Sequence, residues 1–139
     1  MSEASARPDL VELTQALSEA RGSDATVAFY TADAVYDMSR IGLGTFEGRP
    51  AIRDFLEGWL ASYQETKDDV MEIVDHGSGI IFAVVRETGR PYGSPAESQV
   101  QSVFGFVLVW TDGKIARVTV YTDIDEARAA AERLAKEKV

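Results

Sequence analysis

The 139-residue sequence predicts a single α+β domain, residues 1–139, in which a curved, mainly antiparallel β-sheet wraps around helices. Three observations lead to this class. The second half of the chain contains consecutive extended segments joined by turn signals, which indicates hairpins and therefore antiparallel pairing. A strongly amphipathic helix precedes most of these segments. The helices do not alternate regularly with strands, so they are expected to cover one face of one sheet.

The first third of the chain is predicted to be mainly helical. Residues 1–8 are small and polar and are expected to be disordered. Apolar residues at helical spacing predict a first helix over Pro8–Arg21. A second short helix over 23–30 and a turn at Asp33 then precede a strand over 34–38.

The middle of the chain contains the best-patterned helix. Residues 40–50 include three glycines and are expected to form a loop, and Pro50 suits the first turn of the helix that follows. One apolar stripe then recurs over three turns, at Ile52, Phe55, Leu56, Trp59, Leu60 and Tyr63. Such a stripe is expected to face the core.

The second half of the chain is predicted to be mainly extended. Runs rich in Val, Ile and Phe predict strands over 70–74, 80–88, 99–110 and 115–121. Turn signals separate them, including an Asp-Gly pair before the last strand. A final helix over 126–138 has a thin apolar stripe.

Composition limits the possible partners. The net charge of −9 argues against binding to nucleic acid or to a membrane surface, because both need clustered Lys and Arg. The chain has no cysteine and one histidine, so no metal site and no cofactor is predicted. The N-terminus lacks the features of a signal peptide, and no stretch reaches the ~18 apolar residues of a membrane span. A cytoplasmic protein is expected.

Four stretches carry a resemblance to a known family: Phe29-Tyr-Thr-Ala-Asp-Ala-Val-Tyr-Asp-Met-Ser, Gly44-Thr-Phe-Glu-Gly-Arg-Pro-Ala-Ile-Arg-Asp-Phe, Val109-Trp-Thr-Asp-Gly-Lys-Ile-Ala-Arg-Val and Tyr121-Thr-Asp-Ile-Asp-Glu-Ala. Together they resemble SnoaL-like proteins of the nuclear transport factor 2-like superfamily, which includes ketosteroid isomerase and polyketide cyclases. The resemblance implies a cone-shaped fold with a pocket between sheet and helices, and a small, largely apolar organic ligand. It also implies a homodimer through the outer face of the sheet, which agrees with the two-sided apolar character of Val100–Trp110.

Asp37 is the first candidate for chemistry. Its apolar neighbours on the predicted strand would raise the pKa of its carboxyl toward that of a useful general base. It also matches, across a one-residue gap, the catalytic base of ketosteroid isomerase. Alternatively, Asp37 brackets the glycine loop by accepting backbone hydrogen bonds. The oxyanion hole of that isomerase is not matched, because Gly105 stands at the position of its second aspartate and the helix over Pro8–Arg21 has no tyrosine.

Two further charged residues are candidates. By resemblance, Asp123 roughly matches an aspartate late in the chain of the SnoaL-type cyclases, which is the base of those enzymes. The alternative is that Asp123 is the N-cap of the last helix. Arg86 ends an apolar strand and resembles the arginine of limonene epoxide hydrolase. Thr88 replaces the aspartate that this enzyme carries two residues later, and a solvated strand end is the alternative for Arg86.

Large amphipathic side chains are the candidate ligand-binding residues, since they hold apolar molecules and offer a polar group. Packing in the core is the alternative for about half of them. The amide of Gln101 joins them if its face of the strand is turned into the cone. The aromatic candidates are Tyr30, Trp59, Tyr63, Trp110 and Tyr121.

The sequence therefore supports three hypotheses of function. The first is an isomerase, cyclase or lyase that uses a pocket carboxylate, with Asp37 as the leading candidate, to move a proton on a small apolar molecule. The second is a non-catalytic module for ligand binding or assembly with the same fold. The third is an enzyme similar to epoxide hydrolases. The substrate is not specified by the sequence.

Overall fold

The computed structural model describes residues 9–95 and 99–137, apart from the side chain of Gln64. The predicted disorder of residues 1–8 lies outside the described residues. Four α-helices and one short 3-10 helix, Ser39–Ile41, accompany six strands. The α-helices are α1 (Leu10–Glu19), α2 (Ser23–Val27), α3 (Arg49–Ala61) and α4 (Ile124–Glu137). The strands are β1 (Tyr30–Asp37), β2 (Thr45–Glu47), β3 (Tyr63–Asp75), β4 (Ile80–Pro91), β5 (Val100–Thr111) and β6 (Lys114–Tyr121).

The six strands form one curved sheet in the order β2-β1-β6-β5-β4-β3. The pairs β1–β2, β3–β4, β4–β5 and β5–β6 are antiparallel, and β1 pairs with β6 in parallel. The predicted α+β class with a mainly antiparallel sheet is therefore confirmed. Within the described residues, no helix combines the length and the apolar character needed to cross a membrane.

Three boundaries differ from the predictions because sheet pairing extends the strands. β1 begins at Tyr30, which pairs with Ile115 of β6, so the second helix ends at Val27. Three residues of the predicted glycine loop form β2 against the end of β1. Tyr63 belongs to β3, where it pairs with Pro91, and α3 ends at Ala61. In each case long-range pairing outweighs weak local propensity.

The two faces of the sheet pack against different helices. The concave face contacts α1 and α3 through a core that includes Tyr36, Ile52 and Leu108. The convex face carries α4, whose buried alanines pack on residues such as Phe82 and Val107. Helix α4 therefore covers part of the outer face from which the homodimer was predicted.

Gly105 allows the close approach of α4 to β5. A Cβ atom added at Gly105 would lie 2.7 Å from the Cβ of Ala127. Only a residue without a side chain leaves room for the helix at this distance. The glycine that replaces the second acid of ketosteroid isomerase in the resemblance thus faces the outer helix and not the inside of the cone.

Candidate functional site

A cavity of about 440 Å³ lies between the concave face of the sheet and helices α1 and α3. This volume is in the range of small-molecule sites in proteins. Its sheet side is lined by apolar residues such as Val85, Phe104 and Val118, and its helix side by residues such as Leu17 and Leu56. A bound molecule would therefore meet mostly apolar atoms.

A continuous row of five aromatic rings borders this cavity. Tyr30 and Tyr36 come from β1, Phe55 and Trp59 from α3, and Tyr63 from the start of β3. Successive ring centroids are 6.3, 5.8, 6.1 and 6.0 Å apart. We call these five rings the aromatic row. Three of them, Tyr30, Trp59 and Tyr63, are residues that the sequence predicted for ligand binding.

Three carboxyl groups border the cavity, and two of them stand on neighbouring strands, while Glu19 lies at the end of α1. Asp68 of β3 and Glu87 of β4 are direct partners in the antiparallel register, and both line the cavity. Partners of this kind place their side chains on the same face, with Cβ atoms about 5 Å apart. We call Asp68 and Glu87 the acidic pair.

The surroundings of the acidic pair favour its protonated forms. Burial, and then the charge of Asp68, raise the pKa of Glu87 to about 7. Burial also raises the pKa of Asp68, although Arg21 acts against this and Asp69 adds to it. Asp68 is nevertheless an exposed residue, whereas Glu87 is half-buried, so Glu87 is the more shielded member of the pair. A carboxyl group with a pKa near 7 can both accept and donate a proton at neutral pH.

Two tyrosine hydroxyls accompany the acidic pair. Burial raises the pKa of Tyr30, and burial followed by the charges of Tyr30, Glu87 and Asp68 raises that of Tyr36. Both phenols therefore stay protonated and remain hydrogen-bond donors. Tyr36 and the acidic pair line the same cavity.

A family model described as a SnoaL-like domain matches residues 11–118. The chain belongs to this family. The family resemblance seen in the sequence is thereby confirmed. No curated protein matches the SnoaL-like chain significantly.

Solved structures show that the SnoaL-like chain has the nuclear transport factor 2-like fold. A protein from Catenulispora acidiphila with a ketosteroid isomerase-like fold, in complex with trimethylamine, superposes with a TM-score of 0.69 at 18% identity, over 82% of this chain and 85% of that one. A candidate polyketide cyclase from Xanthomonas campestris superposes with a TM-score of 0.65 at 24% identity, over 87% of this chain and 95% of that one. SalBIII is an epoxide hydrolase/cyclase-like enzyme in pyran ring formation of salinomycin. It superposes with a TM-score of 0.64 at 19% identity, over 81% of this chain and 85% of that one.

Asp37 does not line the cavity of this SnoaL-like chain. Its carboxyl accepts hydrogen bonds from the backbone N–H and hydroxyl of Ser39, and pairs with Arg117 at 2.7 Å. Partial burial raises the pKa of Asp37. The hydrogen bonds from Ser39, the charge of Arg117 and the hydroxyl of Thr45 together outweigh this effect, so the pKa lies below its ordinary value. Asp37 therefore brackets the glycine loop, and its expected raised pKa is wrong.

Asp123 and Arg86 also lie away from the cavity. Asp123 caps α4, because its carboxyl accepts a hydrogen bond of 3.0 Å from the backbone N–H of Glu126. Arg86 points to the convex face, where it lies 3.5 Å from Asp69. The N-cap alternative therefore describes Asp123. The alternative of a solvated strand end is wrong for Arg86, because β4 continues to Pro91, and Arg86 lies within the strand and outside the cavity.

Three of the predicted ligand-binding residues are placed elsewhere. Gln101 lies on the convex face, in a shallow polar groove that also includes Arg86. Trp110 is buried in the concave core without lining the cavity. Tyr121 packs in the outer core, where the guanidinium of Arg40 lies 4.7 Å from its ring centroid. Alternation along each strand explains the positions of Gln101 and Tyr121, since neighbouring residues face opposite sides. Trp110 faces the concave side but stands at the end of β5 near the turn to β6, outside the cavity.

Sequence reasoning missed the acidic pair. Glu87 carried only a weak signal, because it follows Arg86 after the apolar run 80–85 has ended and so resembles a solvated strand end. Asp68 carried none, because it stands in the charged stretch Lys67-Asp-Asp that resembles an exposed strand end. A register shift between Val70 and Glu72 in β3 decides that Asp68, and not Asp69, opposes Glu87.

Proposed function

We propose that this SnoaL-like chain binds a small organic molecule in the cavity and moves a proton on it, with Glu87 as the general acid and base. One observation carries the proposal: Glu87 and Asp68 are direct partners on neighbouring strands of a mainly apolar cavity. Buried acids with strongly shifted pKa values are concentrated at functional sites. The proposal keeps the predicted proton-transfer chemistry and moves it from Asp37 to Glu87.

The reaction class is proton abstraction next to a carbonyl, as in an isomerase, cyclase or lyase. The ionised Glu87 carboxyl takes the proton as the C–H bond breaks, and the electron pair moves onto the carbonyl oxygen. Tyr36 and Tyr30 supply hydroxyl donors to that oxygen, and the low polarity of the cavity strengthens their hydrogen bonds. Glu87 then returns the proton to a different carbon or to the leaving group.

The test is hydrogen–deuterium exchange at carbon, followed by NMR in D₂O with a panel of small cyclic and aromatic ketones. We expect exchange with at least one of these compounds, and a loss of about 10²- to 10⁴-fold in the rate for Glu87→Gln. The matched control is Glu47→Gln, which removes the same charge from an exposed position on β2. Exchange that is equally fast in Glu87→Gln, or absent for the whole panel, would contradict catalysis by Glu87 and favour a module that only binds.

A further inference from the structure

The lining of the cavity also defines the charge of its ligand. We propose that the cavity recognises a small organic ammonium ion, with the charged nitrogen beside the acidic pair and its carbon substituents against the aromatic row. The inference rests on the proposed function for the location of the site and adds the chemical class of the molecule.

The acidic pair lacks a matching positive charge inside the cavity. Among the described residues, the one cation that acts on the pair is Arg21, an exposed residue at the rim, and it acts on Asp68. Lys67 also borders the cavity, but its ammonium lies 3.7 Å from Asp69 on the convex side. In the described part of the chain, neither member of the acidic pair forms a salt bridge, whereas the neighbouring Asp69 pairs with Lys67 and Arg86. A ligand cation would relieve the repulsion between two carboxylates on neighbouring strands.

The aromatic row provides the second element of a cation site. Ring faces attract ammonium and alkylammonium groups within about 6 Å of the centroid, more strongly where water is excluded. The row ends next to the acidic pair, because a Cβ atom added at Gly89 would lie 2.7 Å from the ring of Tyr63. Gly89 and Glu87 are two residues apart on β4 and so share the concave face. One nitrogen can therefore approach both a ring and a carboxylate.

Two tyrosine hydroxyls can serve a ligand that also carries an oxygen acceptor. The side chains of Tyr30 and Tyr36 are 2% and 9% exposed as whole residues, and both line the cavity. Neither hydroxyl oxygen is among the fully buried polar atoms without a partner in the described residues, so each is open to the cavity. A hydroxyl in this position can donate a hydrogen bond to a polar atom of the ligand. A small molecule with an ammonium group and a carbonyl or hydroxyl oxygen meets both requirements.

Other charge classes fit this cavity less well. An anion would meet two carboxyl groups and a protein with a net charge of −9. A neutral hydrocarbon would bury the acidic pair further without compensating its charge. An ammonium with apolar substituents gains from the carboxylates and from the rings at the same time.

The test compares choline with 3,3-dimethylbutan-1-ol, its uncharged isostere, by isothermal titration calorimetry on the whole chain at about pH 8. We expect choline to bind at least about tenfold more tightly than the alcohol. Glu87→Gln and, as a second variant, Asp68→Asn should each reduce choline affinity by about tenfold or more, and should leave the alcohol unchanged or slightly tighter. Glu47→Gln should bind choline as the unchanged protein does.

Three results would overturn the inference: equal affinity for the two probes, an equal loss of choline affinity in Glu47→Gln, or no choline binding below about 10 mM.

The site is located by fluorescence, because Trp59 lines the cavity and Trp110 does not, so a Trp110→Phe variant should keep the choline-dependent change in fluorescence. Binding of the probes requires no turnover. Ketone exchange that depends on Glu87 without a preference for choline would therefore sink the ammonium inference and leave proton transfer standing.

Discussion

Asp68 and Glu87 oppose each other directly across strands β3 and β4, with both side chains on the concave face of the sheet. Like charges in this position destabilise a sheet. Here burial raises the pKa of both groups, and more strongly that of Glu87, which is the less exposed of the two. The arrangement weakens the fold at neutral pH and supplies a carboxyl group that can exchange protons there.

The first prediction concerns the pH dependence of stability. The pKa of Glu87 is raised from 4.5 to about 7, so the folded chain holds this proton more tightly than the unfolded chain. The stabilising contribution is present below about pH 4.5 and is lost as the pH rises toward 7. We expect Glu87→Gln to increase the free energy of unfolding at about pH 8 by about 3 kcal/mol more than at about pH 4. Urea unfolding of both proteins at the two pH values measures this difference, and a variant that is less stable at pH 8 would contradict it.

The second prediction concerns Asp37. Its carboxyl is bound by Ser39 and Arg117, and its pKa is lowered. A carboxyl whose pKa is lowered by folding stabilises the folded state at pH values where it is ionised. The stabilisation by Asp37 should therefore be lost only as the pH falls below the ordinary pKa of an aspartate. We expect Asp37→Asn to lower the free energy of unfolding at neutral pH by about 1 to 2 kcal/mol. The ketone exchange rate per folded molecule should not change.

The control for Asp37 is Asp54→Asn, at an exposed position on α3, which should alter neither stability nor exchange. Loss of exchange in a fully folded Asp37→Asn protein would restore Asp37 as the catalytic candidate.

The third prediction concerns the packing of α4. A methyl group at Gly105 meets Ala127 at 2.7 Å, and a backbone-anchored Cβ cannot move aside alone. Gly105→Ala should therefore destabilise the fold by about 1 to 3 kcal/mol. Gly58→Ala is the opposite case, because nothing lies within 4 Å of its added Cβ in α3, and it should stabilise by about 0.5 to 1 kcal/mol. Thermal unfolding of both variants compares them, and equal midpoints would contradict the close contact.

The fourth prediction is the homodimer inferred from the sequence. Helix α4 covers the part of the outer face around Gly105 and Val107, whereas Val103 is 40% exposed on the same face of β5. We expect a dimer in native mass spectrometry and in light scattering at micromolar concentration, and we expect Val103→Lys to shift it to monomer. Leu43→Lys, an equally exposed apolar residue in the glycine loop, should leave the dimer intact. A monomer for the unchanged chain would contradict the prediction.

The sequence by itself determined the elements whose signals are local. The apolar stripe of residues 52–60 predicted α3, and the turn chemistry before Ile80 and Ile115 predicted two hairpins. The family resemblance was also carried by short stretches that can be read directly. Tyr30, Trp59 and Tyr63 were found because large aromatic side chains near helices and strand ends commonly line pockets.

The tertiary structure decided which side of each strand meets the cavity. Alternation with a period of two places Gln101 and Val103 on one face of their strand, and Arg86 and Glu87 on opposite faces of theirs. It does not tell which face of a strand meets α3 and which meets α4. The irregularity between Val70 and Glu72 then moved the register of β3 by one residue. One residue of shift exchanges the two faces of a strand. That is the physical reason why Asp68 joins Glu87 in the cavity. Asp37, on β1, was decided separately, by the pairing of its carboxyl with Arg117 of β6 outside the cavity.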